Sequence, residues 1–175
     1  MQRDSATLAT AALDIIGNYR TCEFTTLFRD GSPQTWPVSA RLLSDGRFLV
    51  CTSIGMPQKA LNIRHNPKVS LLYSEPTGSG VTVPGAVLIQ GDATAEDSVI
   101  TDMLATPDLA AFSETVIARQ PSSKVMSSWL GRRIFFPYYM RILIYVTPRR
   151  ALCWPTRDFT QSPAELDLKE LPHVV

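Results

Sequence analysis

The sequence has few of the residues on which metal-binding, disulfide-stabilised and hydrolytic proteins depend. Its 175 residues include three cysteines, Cys22, Cys51 and Cys153, and two histidines, His65 and His173. Cysteines that are odd in number and widely spaced fit neither a disulfide framework nor a zinc site. Two histidines without a nucleophile motif give little support to histidine-activated hydrolysis. The sequence therefore predicts no metal site, and it leaves the catalytic residues unassigned.

Long hydrophobic runs and a large charge of one sign are also lacking. No apolar stretch approaches the roughly 18 residues of a membrane helix, and no basic segment followed by an apolar one begins the chain. Seventeen Lys and Arg against sixteen Asp and Glu give a net charge of +1, which argues against whole-protein attraction to nucleic acid or membrane. Hydrophobic residues make up 45%, enough for one core. We therefore expect one cytoplasmic domain.

Apolar residues change their period several times along the chain, which predicts an α+β fold. Residues 4–19 have helical spacing, with Leu8 and Ile15 on one face. Residues 57–66 predict a short helix that ends before Pro67, because the residue before proline avoids the helical region. The other patterned segments predict six or more mostly antiparallel strands, at residues 22–28, 36–43, 48–52, 69–73, 86–94, 140–146 and 151–154.

The connections between these segments differ in kind. Gly31 and Gly46 lie in short turns, so the first three strands are predicted to form a meander. Residues 147–150 are predicted as a turn between the last two strand segments. Residues 95–129 lose the alternation and predict a helical insertion. Residues 158–175 are interpreted as an acidic, poorly patterned tail.

Basic residues are concentrated in two stretches that contain no acidic residue. Four lie between Asp45 and Glu75, and eight lie between Glu114 and Asp158. Such stretches suggest a local positive field suited to a phosphate or a carboxylate. The alternative is a solvated surface balanced by acidic residues elsewhere. We favour that alternative for the second stretch, because no motif surrounds its arginines.

The first basic stretch contains a set of hydrogen-bond donors next to a predicted helix. Thr52 and Ser53 end a strand, Gly55 lies in the turn, and Gln58 and Lys59 begin the helix. Hydroxyls, loop amides and an ammonium near a helix start together form an anion site. The spacing is not that of a Walker loop. This segment is our candidate phosphate site.

Residues 36–94 contain several motifs in a fixed order. A Trp-Pro-Val segment precedes the Thr-Ser-x5-Lys run, which leads through Asn-Ile-Arg-x-Asn-Pro into the strand Val-Ser-Leu-Leu-Tyr, and a further strand follows. This order resembles the pyridoxamine 5'-phosphate oxidase-like family of FMN-binding split β-barrels. The resemblance implies one split-barrel domain over residues 1–175, with the N-terminal helix, the insertion and the tail added to a barrel core at 20–94 and 134–155.

The resemblance also implies a cofactor and a set of contacts for it. FMN would lie at the interface of a homodimer, its phosphate held by the strand-end hydroxyls and the lysine, and its ring beside the strand that begins at Pro37. Arg41 is an additional candidate for the phosphate, and Trp154 for stacking on the ring. The full set of candidate cofactor contacts is Pro37, Val38, Ser39, Arg41, Thr52, Ser53, Gln58, Lys59 and Trp154.

Departures from the family pattern bear on the substrate. The C-terminal substrate block of the true oxidases is missing and the insertion is foreign to them, so pyridoxamine 5'-phosphate is not the expected substrate. We expect an FMN-dependent oxidoreductase that acts on an unidentified small molecule admitted by the loop 74–85 and the insertion. The alternatives are an F420-dependent reductase of the same fold, a non-catalytic flavin or haem-binding barrel, and a dimeric scaffold without cofactor. His65 is the only candidate axial ligand in the body of the chain, and its position in the short helix favours a solvated role.

Overall fold

The computed structural model describes residues 5–19, 21–74, 85–97, 110, 112–113, 128–130, 140–156 and 158–170. Two α-helices and eight strands are assigned among them. In chain order they are α1 (Ser5–Asn18), β1 (Cys22–Leu27), β2 (Pro33–Val38), β3 (Ala40–Leu42), β4 (Phe48–Thr52), α2 (Gln58–His65), β5 (Lys68–Tyr73), β6 (Ala86–Asp97), β7 (Ile142–Trp154) and β8 (Ala164–Leu166). The predicted α+β class with mostly antiparallel strands is confirmed, because every recorded strand pair is antiparallel.

Helices α1 and α2 form as predicted, and residues close together in the sequence explain why. The apolar face of α1 is buried, with Ala12 and Ile15 almost fully enclosed. In α2 the chain leaves the helix at Asn66, whose φ of −140° and ψ of 110° are extended, as expected of a residue before proline. No helix in the described part of the chain is both long and apolar enough to cross a membrane.

The eight strands form one sheet whose two ends are connected through a single residue. The strand order is β2-β1-β5-β6-β7-β4-β3, with β8 paired to β7. Strands β2 and β3 are therefore at opposite ends of the sheet, yet only Ser39 separates them in the chain. Two Cα steps span at most about 7.6 Å, so the sheet must curve until its ends approach each other at Ser39. The sheet is consequently a barrel that backbone pairing does not close.

This connection corrects the predicted meander. Residues 36–43 were expected to form one strand, but the chain leaves the sheet at Ser39 and changes partner there. Before that point β2 pairs with β1, and after it Ala40 pairs with Val50 of β4. The apolar–polar order of the sequence continues from Val38 through Ser39 to Ala40, although all three residues are buried, so the sequence pattern contains no sign of the break.

The second half of the chain differs from the prediction in three places. Strand β6 extends to Asp97, so residues 95–97 belong to the sheet and not to the insertion. Strand β7 is continuous, and the predicted turn at 147–150 is a bulge opposite Gly91. The predicted unpatterned tail forms β8, whose Glu165 is ion-paired with Arg150 of β7. A bulge and an isolated three-residue strand both depend on a pairing partner, which local patterning does not encode.

Side chains pack on both faces of the curved sheet. The larger core lies between α1 and the sheet and includes Phe24, Phe48 and Tyr73. A second cluster on the other face joins Leu49 of β4 to Phe112, which is 1% exposed. Phe112 belongs to the predicted insertion, so that part of the insertion packs beside the barrel. Most of the predicted insertion, the segment 134–139 and residues 75–84 of the loop lie outside the described residues.

Candidate functional site

The end of β4 and the turn after it are folded around two buried hydroxyl residues. Thr52 and Ser53 are 4% and 3% exposed. The Thr52 hydroxyl donates to the carbonyl oxygen of Met56 at 3.1 Å, and the Met56 amide donates to the carbonyl oxygen of Ser53 at 3.1 Å. These bonds hold the turn against the strand end. The two predicted hydroxyls therefore lie next to the start of α2.

Lys59 lies on the buried face of α2. Its neighbours on that face are Ala60, Asn62 and Ile63, and Lys59 itself is 7% exposed. The ammonium nitrogen lies 4.8 Å from the centroid of the Trp36 ring, a cation–π contact. Among the described residues no carboxylate lies within ion-pair distance of it. Burial lowers the pKa of Lys59 from its ordinary value.

A buried ammonium without a carboxylate partner favours an anionic ligand. Removing an ammonium from water is unfavourable unless an opposite charge or several hydrogen-bond acceptors compensate for the loss. The Trp36 ring compensates only in part, because a cation–π contact contributes about 0.5–2 kcal/mol. The other members of the first basic stretch are placed differently: Arg64 and Lys68 are exposed, and Arg47 pairs with Asp45. Among the four basic residues of the first stretch, Lys59 is thus the one whose side chain is buried.

A buried amide network fixes α2 to the first hairpin. The Asn62 amide nitrogen donates to the Thr26 hydroxyl at 2.9 Å and lies 3.4 Å from the Gln34 side-chain oxygen. The Gln58 amide nitrogen donates to the Asn62 oxygen at 2.7 Å. The sequence analysis missed Asn62, Thr26 and Gln34. The available signal was strand alternation, which places Thr26 and Gln34 on the inward face of the hairpin.

The predicted ring-contacting residues lie at the corner where the sheet ends meet. Pro37 is exposed on the outer face of β2, Val38 is buried in the larger core, and Ser39 is 7% exposed at the corner itself. Trp36 is adjacent to them in the chain and contacts Lys59. Trp36, whose ring contacts the Lys59 ammonium, is therefore only three residues from the corner at Ser39.

Arg41 and Trp154 lie farther from the candidate phosphate site within one chain. Arg41 is opposite Leu49, three residues before Thr52 on β4, which corresponds to about 10 Å along the strand. Ile142 is opposite Thr52, and Trp154 lies twelve residues farther along β7, up to about 40 Å for an extended strand. The Trp154 indole donates to the carbonyl oxygen of Gln161 at 3.2 Å. The recorded contacts of Trp154 are with Gln161 and Phe159, and the recorded ring contact of Lys59 is with Trp36.

The cysteines have no features of reactive or metal-binding groups. Burial raises the pKa of Cys22 to about 12 and also raises that of Cys51. Thiols with such values are protonated at neutral pH and are poor nucleophiles. Cys22, Cys51 and Cys153 form no disulfide. Within the described ranges no three His, Cys, Asp or Glu residues are close enough to hold a metal ion.

Described arginines of the second basic stretch are paired with carboxylates at the surface. Arg141 pairs with Asp97, Arg149 with Asp92, and Arg150 with Glu165. These pairs agree with the interpretation of that stretch as a balanced, solvated surface. Exposed pairs of this kind contribute little to stability, because water and salt screen the charges.

Comparison with known families places the chain in one of them. Residues 8–132 match the family model described as pyridoxamine 5'-phosphate oxidase, which covers well over half of the chain. The chain belongs to this family, as the sequence motifs indicated. No curated protein sequence matches it.

Several solved structures are similar in fold to this chain. A heme binding protein from Mycobacterium smegmatis has a TM-score of 0.60 at 17% identity, covering 98% of this chain and 61% of its own. A protein related to general stress protein 26, from Clostridium acetobutylicum, has a TM-score of 0.59 at 12% identity, covering 95% and 98%. HupZ of Group A Streptococcus has a TM-score of 0.54 at 15% identity, covering 86% and 94%. At these identities the similarity defines the fold and not the ligand.

Proposed function

We propose that this protein is an FMN-dependent oxidoreductase that acts on a small molecule. The observation that carries the proposal is the buried Lys59 ammonium, with no carboxylate partner among the described residues, next to the strand-end hydroxyls of Thr52 and Ser53. A phosphate monoester offers a near-dianionic charge and several acceptor oxygens, which is the chemistry that the ammonium and the Ser53 hydroxyl would satisfy, with Thr52 donating as well once its hydroxyl turns away from the Met56 carbonyl oxygen. Membership of the family supports the choice of a flavin phosphate.

The residues present fit FMN in what they can donate. Lys59, Thr52 and Ser53 would hold the phosphate, and the peptide groups of Val38 and Ser39 would run beside the ring. When bound, FMN supplies hydride transfer at its ring. The protein would then bind and orient the cofactor and exclude water from its phosphate. None of these roles requires a histidine as a catalytic group.

F420 is the alternative cofactor for the same fold. Its tail is a longer polyanion, which would need cationic residues beyond Lys59. The described arginines of the second basic stretch, Arg141, Arg149 and Arg150, are instead paired with carboxylates. This pairing favours the shorter phosphate of FMN. Titration with both cofactors separates the two, and tighter binding of F420 would reverse the choice.

A second copy of the chain is proposed to complete the site. Ile54 and Met56, in the turn beside Thr52, are 53% and 60% exposed, and apolar side chains next to a site are well suited to a partner surface. Trp154, which contacts Gln161 and Phe159 within its own chain, is proposed to stack on the ring of the cofactor bound at the interface with the partner. Sedimentation should give twice the chain mass of 19.4 kDa. A monomer that retains FMN would contradict this assembly.

Three variants test the phosphate assignment in an FMN titration. Lys59→Ala removes one charge-assisted contact worth roughly 1.5–3 kcal/mol, so affinity should fall about ten- to a hundred-fold. Lys59→Arg should lose less, because the charge is kept while the geometry changes. Lys68→Ala is the control, since Lys68 belongs to the same basic stretch but is exposed. Equal losses in Lys59→Ala and Lys68→Ala would indicate a diffuse field and would remove the assignment.

Haem binding is the second candidate function. The M. smegmatis protein of similar fold is a heme binding protein, and His65 is exposed at the end of α2, where an imidazole can reach a ligand. Haemin added to the protein should then give a spectrum that His65→Ala alters. An unchanged haemin spectrum in that variant would exclude His65 as the axial ligand. An FMN spectrum in the purified protein would favour the first proposal.

A further inference from the structure

An open cleft of about 850 Å³ lies between α2 and the turn of the first hairpin. Its size is within the range of small-molecule sites, about 300–1,000 Å³. The side chains that line it come from Phe28–Ser32 and from the outward face of α2, including Leu61, Arg64 and His65. Lys59, Thr52 and Ser53 do not line it. Gln58, one of the candidate cofactor contacts, does line it, so the cleft adjoins the candidate phosphate site and shares that residue with it.

Positive charge predominates in the cleft. Arg29 and Arg64 line it, and no hydrogen bond or ion pair joins either to another described residue. Asp30 is the acidic residue of the lining, and its carboxylate accepts bonds from the Ser32 amide and hydroxyl at 2.9 and 2.6 Å. Those bonds direct Asp30 towards its own turn. Asp97, outside the lining, is close enough to Arg64 for their charges to interact, but it forms no ion pair with it. Arg29 and Arg64 are therefore the residues of the lining that can contact an anion.

The cleft also has an apolar surface beside its two arginines. Phe28 is half-buried, and Leu61 is 50% exposed although it follows a buried residue of α2. These side chains offer a surface for a flat hydrocarbon body beside the arginines. A ligand with one anionic group and one apolar face would satisfy both parts, whereas inorganic phosphate would satisfy only the arginines.

The walls of the cleft are held in place before any ligand arrives. The Asn62 network bonds α2 to Thr26 and Gln34 of the hairpin. The hairpin turn is closed by the Phe28 amide, which donates to the carbonyl oxygen of Ser32 at 2.9 Å. Fixed walls lower the entropic cost of ordering a binding site.

We propose that this cleft binds a small organic anion, a carboxylate or phosphate monoester on an apolar body, with Arg29 and Arg64 as the anion contacts. The site adjoins the proposed FMN site at Gln58 but does not require FMN to be bound. The arginines would bind the anionic group, and Phe28 and Leu61 would contact the apolar body, whether the ligand is a substrate or an effector.

Titration of the full chain with phenyl phosphate, followed by amide NMR shifts with and without saturating FMN, tests the proposal. Saturable shifts are expected at residues 28–32 and 61–65, with a Kd of about 1 mM or tighter. Arg29→Gln and Arg64→Gln should each weaken binding about ten-fold. Lys68→Gln, an exposed control from the same basic stretch, should leave the shifts at the cleft unchanged.

Four outcomes would overturn the proposal. Phenol that binds as well as phenyl phosphate would show that the anion is not recognised. Shifts confined to residues 52–59 would assign all binding to the Lys59 site. An equal loss in Lys68→Gln would indicate a diffuse field. Haemin binding at the cleft that depends on His65 and not on Arg29 or Arg64 would assign the cavity to haem. Failure of FMN to bind leaves the shifts at the cleft measurable, so the two proposals fail separately.

Discussion

The Lys59 ammonium lies 4.8 Å from the centroid of the Trp36 ring, and no carboxylate among the described residues reaches it. This contact joins the start of α2 to β2, the strand that runs into the corner at Ser39. It also means that the positive charge is partly shielded from water by the aromatic ring.

Lys59→Met should stabilise the cofactor-free protein at neutral pH. Because burial lowers the pKa of Lys59, the unfolded chain binds more protons than the folded one between that lowered pKa and 10.5. The free energy of unfolding of the wild type should therefore rise with pH through this window. The variant lacks this rise, so its advantage, about 2–4 °C in Tm per kcal/mol, should shrink as the pH approaches 10.5. Thermal unfolding at several pH values measures it, and a pH-independent difference would refute the explanation.

Trp36→Leu should weaken FMN binding, whereas Trp36→Phe should retain most of it. The leucine removes the ring face that holds the ammonium, a contribution of about 0.5–1 kcal/mol or two- to five-fold in affinity. Phenylalanine keeps a ring of smaller quadrupole. FMN titration of both variants, with unfolding curves to confirm their stability, gives the answer. Equal affinities for the two variants would show that the ring face is irrelevant.

Asn62→Ala should destabilise the protein by about 1–3 kcal/mol. The substitution leaves the fully buried Thr26 hydroxyl without its amide donor and removes the acceptor of Gln58. Asn18→Ala is the control, because the Asn18 bond to the Asp14 carbonyl oxygen is exposed. Urea unfolding compares the two. A similar small loss in both variants would mean that the Asn62 network contributes nothing beyond a surface bond.

Gly91→Ala should be strongly destabilising, and Gly17→Ala should be neutral or stabilising. A Cβ at Gly91 would clash with the Thr147 carbonyl group of the bulge, and backbone cannot move as a flexible side chain can. At Gly17, in α1, nothing lies within 4 Å of an added Cβ, and alanine favours a helix by up to about 1 kcal/mol. Tm values of the two variants should move in opposite directions. An unchanged Tm for Gly91→Ala would contradict the bulge at this position.

The native protein should react slowly with thiol reagents at pH 8. The pKa of Cys22 is raised to about 12 by burial and that of Cys51 is also raised, so little thiolate is present at that pH. Three thiols per chain should react rapidly only after denaturation in urea. One fast equivalent in the native state would identify an accessible thiolate and contradict the burial.

The sequence alone determined the elements that depend on neighbouring residues. The helix α1 follows from its apolar spacing, and α2 ends at Asn66 because Pro67 follows it. The placing of Thr52 and Lys59 on either side of one turn also follows from the sequence, since only a few residues separate them. Local sterics and periodicity act over such distances, so a single sequence contains the information.

Only the tertiary structure decided which strands pair and which way the charge of Lys59 points. The change of partner at Ser39, the bulge opposite Gly91 and the strand β8 each depend on residues far away in the chain. The burial of Lys59 against Trp36 and the bonds from Asn62 to the hairpin likewise appear only when α2 is packed on β1 and β2. Such contacts arise from curvature of the whole sheet, whose energy is shared among many distant residues and leaves no local pattern in the sequence.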